Sequence, residues 1–585
     1  MTSRAPVGGS LVLALALAFG AGCAGGGDLG TGSAGSAGPG AAGNTGAAGS
    51  TGPGAAGNTG TAGSSAGSTG TAGSGNPNFQ LECTGPQSGR AFLRLLTGTE
   101  LTNSLSDIFP EVKGMWTASL PAGQISAHGF DNDGSAQVGA QRAGAVLDAA
   151  LSVATALVGT PLATVLPCST STADHACAET FLNKYGQRLF RRPLTTAEHD
   201  KYLSFFDASK TKSDFKTALK WMTVALIQSP NTLYRSEIGT VSGSMRQLSN
   251  YEIATELAYT FTGTTPTDSL LAMAGSGSLG NLTTIAQGML ATDPGKQMLQ
   301  RFFEQYLAYS SVASLQKPSI SNFASVGADM AQEMRAFINQ IVLQSPGGLE
   351  DLLTATTANP SRALATYYGT GNAYTGGFPM PATDYASVTR PAALGVGLLS
   401  QGAFLATHAG SETSSPTQRG LFIYYKLFCQ PHLMPPPNVP PLDTMTVMTG
   451  VNTTRDRYEK LHAQGTCAGC HKVFDPIGFG FEHFDEGGRY RAKEKTFDIN
   501  SSGMIAAPDG TTITFTDEKD LMTAVAAQPI IHQCLSAYLA AYAYGSDEAC
   551  LGASQVTALQ SGSIGIAEAF ARLAGEPHFT QRTSQ

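Results

Sequence analysis

Apolar residues recur every three or four positions behind residues that cap helices, and this pattern constrains the chain more than any other feature. Ser249 followed by Glu252 is a capping box, and Ile253, Leu257 and Phe261 then recur at four-residue spacing. Thr195 and Glu198 repeat the signature after Pro193. From Asp214 to Ile227, the residues Phe215, Leu219, Met222 and Leu226 form one helical face. Strand signals are few, and Thr511 to Thr516 (TTITFT) is the best of them. Leu433 to Leu442 (LMPPPNVPPL) reads as extended polyproline II linking helical units, because proline fixes φ and lacks an N–H. The expected fold class is predominantly α, a multi-domain helical body.

Charge narrows the functional classes. With 35 Lys+Arg against 43 Asp+Glu the net charge is −8 over 585 residues, so a nucleic-acid partner is not expected. Only 13% of residues are charged and 42% are hydrophobic, which excludes a disordered acidic chain for most of the length. The glycine excess is local. Residues 24–78 are Gly/Ala/Ser/Thr-rich and contain GPGAAGNTG twice, at Gly38–Gly46 and Gly52–Gly60. Such a segment is a flexible tether with an r.m.s. reach of about 40 Å. It follows residues 1–23, in which Arg4, an apolar run from Leu11 to Phe19 and small residues before Cys23 resemble a bacterial lipoprotein signal. Gly20 departs from the leucine usual at that place. The expectation is an exported chain lipidated at Cys23. Ala24 at the second mature position favours an outer-membrane or cell-surface lipoprotein facing the periplasm or exterior. The lipid is its expected membrane anchor, since no other continuous run approaches 18 apolar residues.

Chemistry concentrates in one motif. Thr466 to His471 reads TCAGCH, and C-x-x-C-H is the attachment sequence for c-type haem. Two thiols at this spacing form thioethers with the two vinyl groups on one porphyrin edge, and the next imidazole reaches the iron from one face. Cys467, Cys470 and His471 are therefore the expected holders of one covalent haem c, with His471 the proximal ligand. A redox dithiol and a zinc site remain alternatives for the same cysteines. The sixth iron ligand is open: Met504 and His408 lead, and Met522, His432, His462, His483 and His532 are also available. Phe474, Ile477, Phe479 and Phe481 are expected to line the haem. Six further cysteines are Cys83, Cys168, Cys177, Cys429, Cys534 and Cys550; proximity favours Cys168–Cys177 first and Cys534–Cys550 second.

The surroundings of the motif carry a resemblance. CAGCHKVFDPIGFGFEHFDEGGRYR (Cys467 to Arg491) is similar to the haem-motif domain of planctomycete-type cytochrome-c-like exported proteins, which are built from a fixed series of domains of unknown function and are common also in predatory soil bacteria. Phe92 to Asp133 resembles the first domain of that series. Phe190 to Phe206 and Gln228 to Gly239 resemble the second, and Gln247 to Leu279 the third. His408 to Pro437, with SSPTQRG, opens the haem-motif domain, and His532 to Gly545 resembles the last. The family often has Asn where this chain has His483, which sets His483 aside as a shared ligand. The division expected is 79–165, 166–240 and 241–390 for three helical domains, 391–500 for the haem-motif domain and 501–585 for a C-terminal helical domain. The resemblance implies a cytochrome-like role without naming a substrate. Three readings follow: electron transfer with an unidentified redox partner protein, a binding or scaffolding lipoprotein whose haem is accessory or absent, and a haem-dependent oxidoreductase. Whether the chain is an enzyme is left open. Asp131–Gly134 (DNDG) lacks the glutamate of a calcium loop and reads as a polar turn. Asp485, Glu486, Arg489 and Arg491 read as a solvated surface cluster, with haem propionates as the alternative partners.

Overall fold

The computed structural model describes residue 91 and residues 93–583, apart from 127, 171–172, 345–346, 370–372, 379–383, 434–449, 463–466 and 546–552. Cys23, the tether, Cys83, Cys550 and the proline run from residue 434 onward lie outside the described residues. The body is mostly helical. Local signals set the helix starts. Thr97 with Glu100, Thr195 with Glu198 and Ser249 with Glu252 all form reciprocal capping boxes, so each helix satisfies two otherwise orphaned donors at its first turn.

Two large cores form from these helices. The first gathers the helices Gly98–Ile108, Ala140–Gly159, Thr196–Lys210 and Phe215–Ile227 around Leu105, Phe181, Tyr185, Phe206 and Met222, all fully buried. Each such side chain contributes about 1.5–3 kcal/mol by leaving water. Ala140–Gly159 is long and apolar enough to cross a membrane by length and composition. Here Val146, Val153 and Leu157 bury into the core, and the helix packs on Phe215–Ile227. The second core runs from Phe130 through the helices Asn250–Thr262, Asp293–Tyr306 and Phe323–Ile338 to the helix Ile530–Tyr544. Tyr259 joins the two, its hydroxyl 2.8 Å from Ser104 Oγ.

Strands are short and tie distant segments together. Leu93–Leu95 pairs antiparallel with Tyr234–Ser236, Leu93 opposite Ser236. Gln581–Thr583 joins Met245–Gln247, which also pairs with Thr240–Ser242. The expected strand near TTITFT is Thr512–Phe515, paired with Gly503–Ala506. Beneath the first two sheets lies a buried ionic cluster of Arg94, Arg235 and Arg582 with Glu237 and Glu256. Arg582 Nη2 reaches Glu237 Oε2 at 2.5 Å. Burial and the nearby Glu237 push the Glu256 carboxyl up to about 7, against the pull of Arg235.

Two disulfides lie among the described residues. Cys168–Cys177 is the pair that proximity favours. The expected Cys534–Cys550 pair is not formed: Cys534 bonds Cys429 instead. The helix Ile530–Tyr544 packs against the π-helical turn Ile423–Leu427, which brings the two Cα atoms to 5.6 Å.

Candidate functional site

Three helices build the site. Thr454–His462 begins where Glu494 accepts from both Thr454 N and Thr454 Oγ1, at 2.7 and 2.8 Å. Pro416–Phe422 starts behind Ser415, whose hydroxyl accepts from Gln418 N, with Pro416 in the first turn where its missing N–H costs nothing. Cys467–Phe479 carries the C-x-x-C-H run. The last two cross at reciprocal glycines. A Cβ on Gly420 would lie 1.9 Å from the Phe474 carbonyl oxygen, and one on Gly478 would lie 1.8 Å from that of Pro416. Neither position accepts a side chain without the helices separating. Gly478→Ala should therefore destabilise the fold by about 1–3 kcal/mol. A shift of the denaturation midpoint checks this, and an unchanged midpoint would show that the crossing relaxes freely.

Arg419, next to Gly420 in the SSPTQRG segment, is fully buried. Its Nη1 donates to the carbonyls of Phe481 and Phe484, and its Nη2 to those of Leu405 and Asp485, at 2.8–3.1 Å. Burial pulls its pKa down to about 10, partly offset by Glu482, and it stays charged at neutral pH. This one guanidinium holds the turn that follows the Cys467–Phe479 helix. In that turn Asp485 and Glu486 are buried rather than solvated, and Asp485 Oδ2 accepts from Arg489 Nε at 2.7 Å. The reading of a solvated surface cluster is corrected accordingly, since the tight turn folds the Asp485 carboxylate back onto the N–H groups of Gly487 and Arg489, and Glu486 accepts from Ser319 Oγ.

On the helix, His471 and Asp475 are four apart and share a face. His471 Nδ1 lies 3.1 Å from Asp475 Oδ2. His462, from the preceding helix, places Nδ1 at 2.5 Å from the same oxygen. Thr417 Oγ1 donates to Asp475 Oδ1 at 2.6 Å. Burial pushes this carboxyl up, but hydrogen bonds from His462 and His471 outweigh it and hold Asp475 below the ordinary carboxylate range. The imidazole rings of His462 and His471 are 3.6 Å apart between centroids. With Nδ1 engaged by the carboxylate, Nε2 is the His471 nitrogen left for a ligand.

A cleft of about 520 Å³ opens beside this group, lined by His462, His471, Asp475, Phe479, Gly503 and Met504 among others. Met504 is 65% exposed. Of the two leading sixth-ligand candidates, the fold brings Met504 to the same cleft as His471. His408 lies elsewhere, its Nε2 3.0 Å from the Leu307 carbonyl and its ring packed on Phe404 and Phe422. His432 stacks on Tyr425, His483 Nδ1 meets the Arg491 carbonyl, and His532 pairs with Glu350. Of the four apolar residues expected to line a haem, Phe479 lines the cleft, Phe474 packs on the His471 ring, and Ile477 and Phe481 belong to the second core. Cys470 is a free, half-buried thiol. Cys467 is buried and disulfide-bonded. Sequence reasoning missed Asp475 and Thr417 as partners of the imidazoles. The four-residue spacing from His471 to Asp475 was the available signal; Thr417 had none.

The fold is a mostly helical one built from domains of unknown function. Residues 94–159, 177–237, 248–370 and 396–494 match four families, each described as "Protein of unknown function": DUF1587, DUF1595, DUF1592 and DUF1588 in chain order. The chain belongs to the planctomycete-type series of such proteins. No curated protein and no solved structure matches it.

Proposed function

We propose that the chain is an envelope-anchored c-type-haem protein in extracytoplasmic electron transfer, held by a lipid on Cys23 and serving a partner redox protein. The observation that carries the reading is the placement of His471. It directly follows the C-x-x-C pair, stands on the wall of a cleft, and has Nδ1 taken by a carboxylate so that Nε2 is left for iron. Met504 on the same cleft supplies a thioether of the kind that raises a haem potential. Cys470 would hold one vinyl edge. Cys467 would hold the other after an external dithiol reductant opens its disulfide by thiol–disulfide exchange and is itself oxidised, as attachment through this thiol demands. Bound haem supplies one-electron chemistry. The chain orients His471 through Asp475, packs Phe479 against the cleft, and keeps the helix pair rigid through Gly420 and Gly478.

The disulfide at Cys467 favours a second reading, a haem-free binding or scaffolding lipoprotein. One experiment separates them. The full chain is made in cells that mature c-type cytochromes and examined for a Soret band and for haem that stays with the denatured protein. Electron transfer requires both signals in the wild type and their loss in His471→Ala and Cys470→Ser. A wild-type protein without covalent haem would overturn the reading and leave the scaffold.

A further inference from the structure

We propose that in the haem-free chain His462, His471 and Asp475 bind a divalent first-row transition-metal ion of the zinc class. The inference stands whether or not haem is attached in cells, because it rests on side chains already gathered. One donor atom from each of the three residues lies within 4.8 Å of the others, and all three residues are buried. Two imidazoles converge on one carboxylate, with contacts of 2.5, 3.1 and 3.2 Å. A tetrahedral zinc ion with bonds of about 2.0–2.1 Å separates its ligands by about 3.4 Å. A small expansion of this group is therefore enough to admit the ion.

The group is not complete as a hydrogen-bonded cluster. His462 Nε2 is buried and has no hydrogen-bond partner among the described residues. An unpartnered buried polar atom is one place where a water or ion can sit, and this one is the ring nitrogen opposite the Nδ1 that faces Asp475. Support for the carboxylate is also present, since Thr417 Oγ1 fixes Asp475 Oδ1 at 2.6 Å, as outer hydrogen bonds fix metal ligands. Two imidazoles and one carboxylate are a donor set suited to zinc, cobalt or iron, and the adjoining cleft leaves room for water at a fourth position. Methionine at the cleft adds a thioether but lies outside the triad. An ion held through the Nδ1 atoms would take over the carboxylate contact that leaves His471 Nε2 for haem, so filling the site is expected to disturb haem binding.

The test uses the full chain made without cytochrome c maturation and stripped with chelator. Cobalt(II) alone is the probe, followed by displacement with zinc(II). The expected result is one equivalent bound, visible ligand-field absorption of a tetrahedral ion, and bleaching by zinc. His462→Ala and Asp475→Asn should each weaken binding at least tenfold, and His408→Ala, outside the site, should not change it. Far-UV circular dichroism shows whether each variant is folded, and the wild-type titration decides the matter even where one is not. No stoichiometric binding by the wild type overturns the proposal, as does wild-type affinity in both folded triad variants. Covalent haem in the matured protein is measured separately, so failure of the haem reading and failure of the metal site are distinguishable.

Discussion

Replacing Arg419 by methionine is expected to cost about 4 kcal/mol of folding stability, the largest effect of any single side chain at the site. The guanidinium serves four carbonyl oxygens from two stretches of chain, that of Leu405 and those of Phe481, Phe484 and Asp485. Each carbonyl left buried and unpaired costs about 1–3 kcal/mol, and water reaching some of them reduces the sum. Methionine keeps the apolar volume, so the loss reports the hydrogen bonds rather than a cavity. Lysine at the same place should recover part of the stability, since it keeps the charge but lacks the planar fork. Urea denaturation of the three proteins measures the order. A loss below about 1 kcal/mol for methionine would mean that the turn after the Cys467–Phe479 helix is held by other contacts.

Removing the Cys429–Cys534 disulfide with paired alanines should be costlier than removing Cys168–Cys177. The first spans 105 residues and the second 9. In the chain-entropy account a loop of about 100 residues contributes about 4.7 kcal/mol, whereas one shorter than 15 residues contributes less than about 3. The long loop contains the whole Cys467–Phe479 helix and the Met504 strand, so its loss should also loosen the cleft. Denaturation of the two double variants gives the comparison directly. Equal losses would show that the long loop is already restrained in the unfolded chain, or that native strain cancels the gain.

What the sequence made legible depended on distance along the chain. The capping residues Ser249 and Thr195 and the helical face from Phe215 to Leu226 are local signals, and the structure forms them where their chemistry places them. The short Cys168–Cys177 loop is local too. Cys534 chose Cys429 over Cys550 because two helices pack together, and no spacing encodes that. At the site, C-x-x-C-H was visible as a motif, yet its closest partners were not. Thr417 is more than fifty positions upstream and reaches Asp475 through the crossing at Gly420 and Gly478, while His462, nine positions before His471, comes from the helix Thr454–His462 that packs on Cys467–Phe479. His408 looked equivalent to Met504 in the sequence because burial is invisible there. Its side chain proves to be committed to the Leu307 carbonyl.

The strand Gln581–Thr583 has a consequence for how the molecule is made. It completes a sheet begun at Met245–Gln247, and its Arg582 meets buried Glu237 across a sequence separation of 345. Until that strand arrives, Glu237 and Glu256 sit in the interior with one cation fewer. The middle of the body therefore cannot close fully before the last strand has been synthesised. Contacts this remote slow folding and lengthen the life of incomplete states. If the chain is exported as proposed above, late closure keeps the interior unsealed and threadable until passage is complete.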